Sequence, residues 1–320
     1  MRSDERSGIS GMRRETMLAV GIGEILWDRL PGGDEIGGAP FNVVSHLARF
    51  GYPAAYLTAV GQDELGDTAI AQMIGRGIDA TLVGRVAGVP TGLAQVTVSP
   101  GGSPAFAIRR PAAFEQWGSV DSVVERVSAM RPLFLVYGTL AQLGAGARAG
   151  LAQITRECAG AARLYDVNLR QGWWTADVVA ELLGLASIVK LSESEARELA
   201  PVLGVTWGDP EPFCRGLAAG HNLRGVAVTA GPDAACLLLD GEFALAAPPC
   251  AEVEDAVGAG DAFAAGLLDA IGQGHGAAAA LRRANALGTL VASRRGAQPP
   301  WTEADLARLE SQTEIGRAHV

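Results

Sequence analysis

The sequence predicts a doubly wound α/β sandwich, and three observations carry that prediction. Short, nearly all-apolar β-rich runs recur along the chain, as parallel strands covered on both faces require. Amphipathic helical stretches separate them, and such alternation implies βαβ units. One interval, residues 81–114, interrupts the rhythm with short segments of alternating polarity.

Residues 17–23 (MLAVGIG) give the first strand. The stretch 40–50 (PFNVVSHLARF) follows as a helix, with Pro40 in its first turn and Gly51 just past its end, the expected start and stop signals. A strand over 54–61 and a helix over 64–76 complete the first unit. Segments 91–98 (TGLAQVTV) and 103–110 (SPAFAIRR), joined by Ser99-Pro100-Gly101-Gly102, read as a β-hairpin. With residues 25–37 this hairpin makes a small sheet placed to act as a lid. Strands over 133–138, 163–168, 187–192 and 225–231 then alternate with helices over 145–159, 175–184, 193–200 and 210–219. A second hairpin, 234–247, turns at Asp240-Gly241. No repeat or linker divides the chain, so one domain is expected over 17–313.

Composition narrows the function. Hydrophobic residues make up 48% and charged residues 19%, which suits a packed globular core and not a disordered chain. The net charge of −9 and pI near 5.0, with no basic run, argue against a nucleic-acid or anionic-membrane partner. A single lysine, Lys190, stands among 26 basic residues, a bias that a GC-rich genome explains. Cys158, Cys214, Cys236 and Cys250 are scattered and suit buried reduced thiols; the four histidines show no metal spacing. The apolar stretch Met17–Leu26 is interrupted by Glu24 and lacks a cleavage site, so a cytoplasmic protein is expected. Residues 1–16 read as a disordered extension. Residues 314–320 read as a non-native tail, since they match the translation of a sequencing adapter.

The chemistry starts at residues 255–263, Asp-Ala-Val-Gly-Ala-Gly-Asp-Ala-Phe. Gly258, Ala259 and Gly260 fall where a helix begins, and unencumbered amides at a helix N-terminus cradle an anion. Asp261 sits in that first turn. Alone it reads first as an acid complementing the helix dipole, and the sharper reading is a general base beside a phosphoryl group. The N-terminal stretch supplies a second cluster: Asp28 in GEILWD, then Gly37, Gly38 and Asn42 ahead of the first long helix.

Together these two stretches resemble the signatures of the PfkB, or ribokinase-like, carbohydrate kinases, over residues 17–312. Three further segments support the resemblance: Asp166-Val-Asn-Leu-Arg170, Lys190-Leu-Ser-Glu-Ser-Glu195 and Thr229-Ala-Gly231. The resemblance implies a three-layer α/β/α sandwich with a mostly parallel central sheet and a small β-sheet lid. It also implies ATP-dependent phosphorylation of a primary hydroxyl of a small sugar. Asp261 would be the general base, and the 258–261 amides the anion hole. Asp28, Gly37, Gly38 and Asn42 would meet the sugar, and Asn168 and Arg170 the sugar and the phosphates, with Arg109 reaching in from the lid. Lys190, Ser192, Thr229, Gly231 and Asn285 would meet ATP. Glu195 would hold Mg2+ through water, and Asp255 would neighbour a K+ ion. Ser192 and Ala256 depart from the commoner Asn and Thr of the family's motifs.

Fructose is the first expected substrate, because GEILWD, DVNLR and AFAIRRPAAFEQW (105–117) look most like fructokinase-type members. A 2-keto-3-deoxygluconate kinase, another sugar kinase, or a non-catalytic sugar-binding member are the alternatives. A Rossmann-type oxidoreductase is disfavoured, since GIGEIL (21–26) lacks the third glycine of the dinucleotide fingerprint. The resemblance further implies a homodimer formed through lid edges.

Overall fold

The structure, a computed structural model, describes residues 13–30, 33–98, 104–170, 172–312 and 315–316. The chain opens with β1 (Ala19–Ile22), β2 (Leu26–Leu30), β3 (Gly33–Gly37) and α1 (Ala39–Arg49). Next come β4 (Ala54–Gly61), α2 (Glu64–Gly75), β5 (Ile78–Asp79), β6 (Val83–Val86), β7 (Gly92–Val98) and β8 (Pro104–Ile108). Strict alternation follows through α3 (Val120–Met130), β9 (Phe134–Gly138), α4 (Ala145–Glu157), β10 (Ala162–Asp166), α5 (Ala176–Leu185) and β11 (Ile188–Ser192). After α6 (Glu193–Leu199) and α7 (Pro210–His221) the chain forms β12 (Gly225–Thr229), β13 (Ala235–Leu239) and β14 (Glu242–Ala246). It closes with α8 (Ala259–Gly272), α9 (Ala277–Ala292), α10 (Glu303–Glu310) and β15 (Ile315–Gly316).

Among the described residues the large sheet runs β15-β14-β13-β12-β11-β10-β9-β1-β4-β5, with β6 also on β4. Strands β12 through β5 are parallel, and β13, β14 and β15 add on antiparallel. Side chains alternate between two cores. In β9, Phe134 and Val136 face a core shared with α1, α8, α9 and α10, while Leu135 and Tyr137 face one shared with α3 to α7. Burial on both faces is why these strands are apolar throughout, with no alternation to see.

The lid is a separate sheet ordered β3-β2-β7-β8. Trp27 anchors it, donating its indole N–H to the Leu65 carbonyl at 3.1 Å. The expected hairpin is present, since β7 and β8 pair antiparallel from Ala94↔Ile108 to Val98↔Pro104; its turn lies outside the described residues. Residues 83–86 do not join this lid. They pair with β4 in the large sheet.

Residues 1–12 lie outside the described chain, but the expected extension does not reach 13–16. Arg14–Thr16 form a 3-10 turn, and Arg14 binds Asp269 at 2.7 Å and Glu303 at 2.8 Å. At the other end Ile315↔Ala246 and Gly316↔Leu245 pair in the sheet, while 314 and 317–320 are outside the described residues. Three cysteines are buried as expected, but Cys250 is exposed.

Candidate active site

In a doubly wound sheet ligands bind beyond the carboxyl ends of the strands, and the candidate residues gather there. Asp166, the last residue of β10, is the register partner of Lys190 within β11, and Ser192 and Thr229 pair at the ends of β11 and β12. Period-2 alternation therefore puts Asp166 and Lys190 side by side on one face. The Lys190 ammonium lies 3.1 and 3.2 Å from the two Asp166 oxygens, both groups buried. Burial pushes the Asp166 carboxyl up. Lys190 is held above its usual value by Asp166, Glu195 and Asp261, which outweigh its desolvation.

Helix α8 points its N-terminus into the same space. Its N-cap, Gly258, has φ +75°, and an added Cβ would lie 2.5 Å from the Ala297 Cα. Both the left-handed backbone and the close approach require glycine. The first amides of the helix lack intrahelical acceptors and carry the positive end of its dipole. One of them, on Ala259, turns back to the Ala256 carbonyl at 3.3 Å. A Cβ on Gly260 would come within 2.9 Å of the Lys190 Nζ, so the ammonium stands directly against the glycine loop.

Asp261, in this first turn, accepts a hydrogen bond from Asn42 Nδ2 at 2.7 Å. Burial and the nearby Glu24 raise its carboxyl, opposed by Lys190, the Asn42 bond and Arg170. Asn42 is oriented in turn by Gln298, whose Nε2 donates to Asn42 Oδ1 at 2.6 Å. Two motifs 219 residues apart in sequence thus meet in one hydrogen bond.

The lid contributes Asp28 on β2. Its carboxyl is pushed up to about 6 by burial and the facing Glu35, with Arg170 pulling it down. Gly37 leaves room for it, since a Cβ there would meet Asp28 Oδ2 at 2.7 Å. Gly38, the N-cap of α1 with φ +130°, packs against the Glu24 carbonyl, 2.3 Å from where its Cβ would stand. Asp28 against Gly37, and Asn42 against Asp261, thus flank the α1 N-terminus, where Gly38 is the N-cap.

Beyond it lie two clefts. One, of about 480 Å³, is lined by Asn168, Arg170, Lys190, Ser192, Glu195 and Glu198 among others. Asn168 adopts φ +40°, and its Oδ1 accepts from Arg170 at 2.7 Å. A left-handed non-glycine residue is strained, and such strain clusters at functional sites. The other cleft, of about 540 Å³, is mainly apolar and includes Thr229, Gly231, Pro248, Cys250, Phe263 and Asn285. Thr229 hydrogen-bonds the Leu191 carbonyl at 3.5 Å, and Asn285 the Ala246 carbonyl at 3.3 Å.

Three sequence-predicted residues behave differently from the rest. Glu195 accepts from the amides of Leu169 at 2.6 Å and Ser192 at 2.7 Å, and Ser192 caps α6 in a capping box with it. Asp255 is held by the amides of Val257 and Gly296, both at 3.0 Å. Arg109 is exposed just past β8 and lines neither cleft. Three residues that the sequence reading did not assign belong to the site. They are Asp166, Gln298 and Glu24, whose buried Oε1 accepts from the Ala39 amide at 3.2 Å while Oε2 has no partner among the described residues. A charge at the end of an otherwise apolar strand is the signal for Asp166 and Glu24. Nothing in sequence announces Gln298.

An amide cradle at a helix N-terminus, a carboxylate in its first turn and an adjoining apolar cleft are the parts that a nucleotide-dependent phosphotransferase needs. The pfkB family carbohydrate kinases match residues 33–304. The chain belongs to that family and is an ATP-dependent sugar kinase. It is 30% identical to fructokinase-1 of Oryza sativa over 93% of this chain and 99% of that protein. It is 29% identical to the aminoimidazole riboside kinase of Salmonella typhimurium over 82% of this chain and 83% of that one. Among solved structures, the fructokinase of Xylella fastidiosa with bound ATP superposes with a TM-score of 0.79 at 24% identity, covering 93% and 99% of the two chains. The 2-dehydro-3-deoxygluconokinase of Thermotoga maritima also gives 0.79, at 18% identity over 92% and 99%. A Vibrio cholerae fructokinase bound to fructose, ADP and potassium gives 0.75 at 22%, over 93% and 99%. These confirm the ribokinase-like fold with its second, small sheet.

Proposed function

We propose that the chain transfers the γ-phosphoryl group of ATP to a primary hydroxyl of fructose. The observation that carries this reading is the Asn42–Asp261 hydrogen bond, which joins the lid-side polar cluster to the phosphate cradle. Asp28 and Asn42 accept and donate to sugar hydroxyls, holding one primary hydroxyl against Asp261. Asp261 takes its proton as the sugar oxygen attacks phosphorus; the new O–P bond forms, the β,γ-bridging bond breaks, and ADP leaves. Developing charge on the transferred group is met by the 258–261 loop and by Lys190, fixed donors that need no reorganisation. The apolar cleft with Thr229, Gly231 and Asn285 takes the adenosine, and Arg170 and Asn168 face the phosphates.

Magnesium fits this site as an ion carried on the phosphates. Among the described residues no group of three or more acids, histidines or cysteines stands ready to hold a metal. Both oxygens of Glu195 already accept protein hydrogen bonds, leaving it lone pairs for metal-bound water. When bound, the ion neutralises charge on the β- and γ-phosphates. Asp255 would neighbour a monovalent cation beside the loop.

A second reading is favoured by Arg170, an exposed guanidinium beside Asp28. It suits the carboxylate of a sugar acid such as 2-keto-3-deoxygluconate. An ADP-release assay across fructose, 2-keto-3-deoxygluconate, ribose, other hexoses and nucleosides separates the two. Asp261→Asn is expected to fold and bind ATP normally while losing at least ~10²-fold in turnover. Near-normal turnover in that variant would refute the role of Asp261.

A further inference from the structure

We propose that a cavity behind the catalytic base is an effector site for a small phosphoryl anion, and that its occupancy is relayed to Asp261. The relay half rests on Asp261 being the base; the binding half does not. The cavity, of about 270 Å³, is lined by Ser45, His46, Arg49, Gly75, Arg76 and Gln298. Two arginines and no carboxylate line it, in a chain whose net charge is −9. Neither Arg49 nor Arg76 forms an ion pair with a described carboxylate. The charge that bears on each is another arginine, Arg294 on Arg49 and Arg49 on Arg76. The Arg49 guanidinium stands 5.9 Å over the Trp301 ring.

His46 adds no charge to the cavity. Its Nδ1 accepts the Trp301 indole N–H at 3.1 Å, so the proton sits on Nε2 and is donated to the Ala297 carbonyl at 3.0 Å. Arg76 donates Nε to Gln298 and Nη1 to the Gln72 carbonyl at 2.9 Å, both neutral acceptors, so the cavity presents two guanidinium charges with no described acid against them, the chemistry that fits a tetrahedral phosphoryl group.

The same arginine begins a chain of oriented hydrogen bonds. Arg76 Nε, which can only donate, binds Gln298 Oε1 at 2.6 Å. That turns Gln298 Nε2 toward Asn42 Oδ1 at 2.6 Å, which turns Asn42 Nδ2 toward Asp261 at 2.7 Å. An anion that draws Arg76 into the cavity competes with Gln298 for its guanidinium and removes the first constraint on this chain. Occupancy therefore slows phosphoryl transfer.

Inorganic phosphate and methyl phosphate, a free anion and a phosphate ester, are the two probes. Each is titrated into the ¹⁵N-labelled enzyme while the Trp301 indole, the Asn42 side-chain amide and the 258–260 amides are followed. The last of these report binding in the active site separately. Trp301 and Asn42 are expected to shift together, and turnover to fall with the same midpoint; the probe that acts identifies the source. Arg49→Gln is expected to weaken binding at Trp301 at least about tenfold while leaving anion-free turnover unchanged. An unshifted Trp301 with both probes, shifts only at 258–260, or equal affinity in Arg49→Gln overturns the site. Binding at Trp301 that moves neither Asn42 nor turnover overturns the relay. Loss of the base assignment by the Asp261→Asn test leaves the Trp301 result standing on its own.

Discussion

Lys190 is the only lysine in the chain, and it is buried against the glycine loop between Asp166, Glu195 and Asp261. Codon bias explains why other basic positions are arginine; the space left by Gly260 explains why this one is not. A compact ammonium fits where a planar guanidinium would press on the loop. Asp28 offers a sharper test at this scale. To accept a sugar hydroxyl proton it must be ionised, and its carboxyl is pushed up to about 6. KM for the sugar is therefore expected to rise as pH falls through about 6, with kcat changing less, and Asp28→Asn should flatten that dependence. The linked stability has the opposite sign. A carboxyl with a raised folded pKa favours folding below its unfolded value near 3.8 and costs stability once pH passes about 6. Asp28→Asn should therefore raise stability at neutral pH, by about 1–2 kcal/mol after allowing for its partial exposure. A pH-independent wild-type KM, or a destabilised variant, counts against this assignment.

The elements explain how the sequence was legible and where it stopped being so. Parallel strands buried on both faces, such as 134–138 and 188–192, stood out as apolar runs, and the Pro40 start of α1 marked its true entry. Helix α3 was not anticipated. Its buried positions Val123, Val124 and Val127 are β-branched, so composition pulls toward strand while the surroundings fix helix. Asp28, the glycine loop and Asp261 were legible because their residue types are unusual in order and spacing. Gln298 was not, because its role exists only once the loop before α10 is folded against α1. That junction is held by His46 on α1, buried and neutral, with its pKa pushed down to about 4 by desolvation. The unfolded chain binds a proton near 6.5 that the folded chain refuses until about 4. Stability is thus lost as pH falls through that window, by on the order of 3 kcal/mol. Asp28 and Asp166, both raised, titrate in the same window with the opposite sign, so in urea unfolding from pH 7 to 4.5 the wild type should lose stability relative to His46→Gln by this amount. An unchanged slope in the variant would assign the acid sensitivity elsewhere.

At the scale of the whole molecule, the two cores lie on opposite faces of one sheet, and the segments that close the α1 face are tied through Asp269 on α8. This carboxylate is fully buried and accepts from Arg14, Arg283 and the Tyr52 hydroxyl, the last at 2.8 Å. Arg283 extends the tie to Glu310 at 2.9 Å, and Arg14 to Glu303 at 2.8 Å. One acid therefore joins residues before β1, the loop before β4, and helices α8, α9 and α10. Removing one partner of a buried ion pair strands the other in a poor solvent, a cost of about 3–5 kcal/mol. Asp269→Asn is expected to lose that much in urea unfolding. Arg14→Met should lose far less, roughly 1 kcal/mol, because Arg14 is 27% exposed and Arg283 still neutralises the acid. Asp269 lies two helical turns beyond Asp261, about 12 Å along α8, so turnover per folded molecule should be unchanged in both variants. Equal losses in the two variants would mean that the charge tie is not what holds these segments, and that apolar packing of α8 against α9 and α1 carries the closure alone.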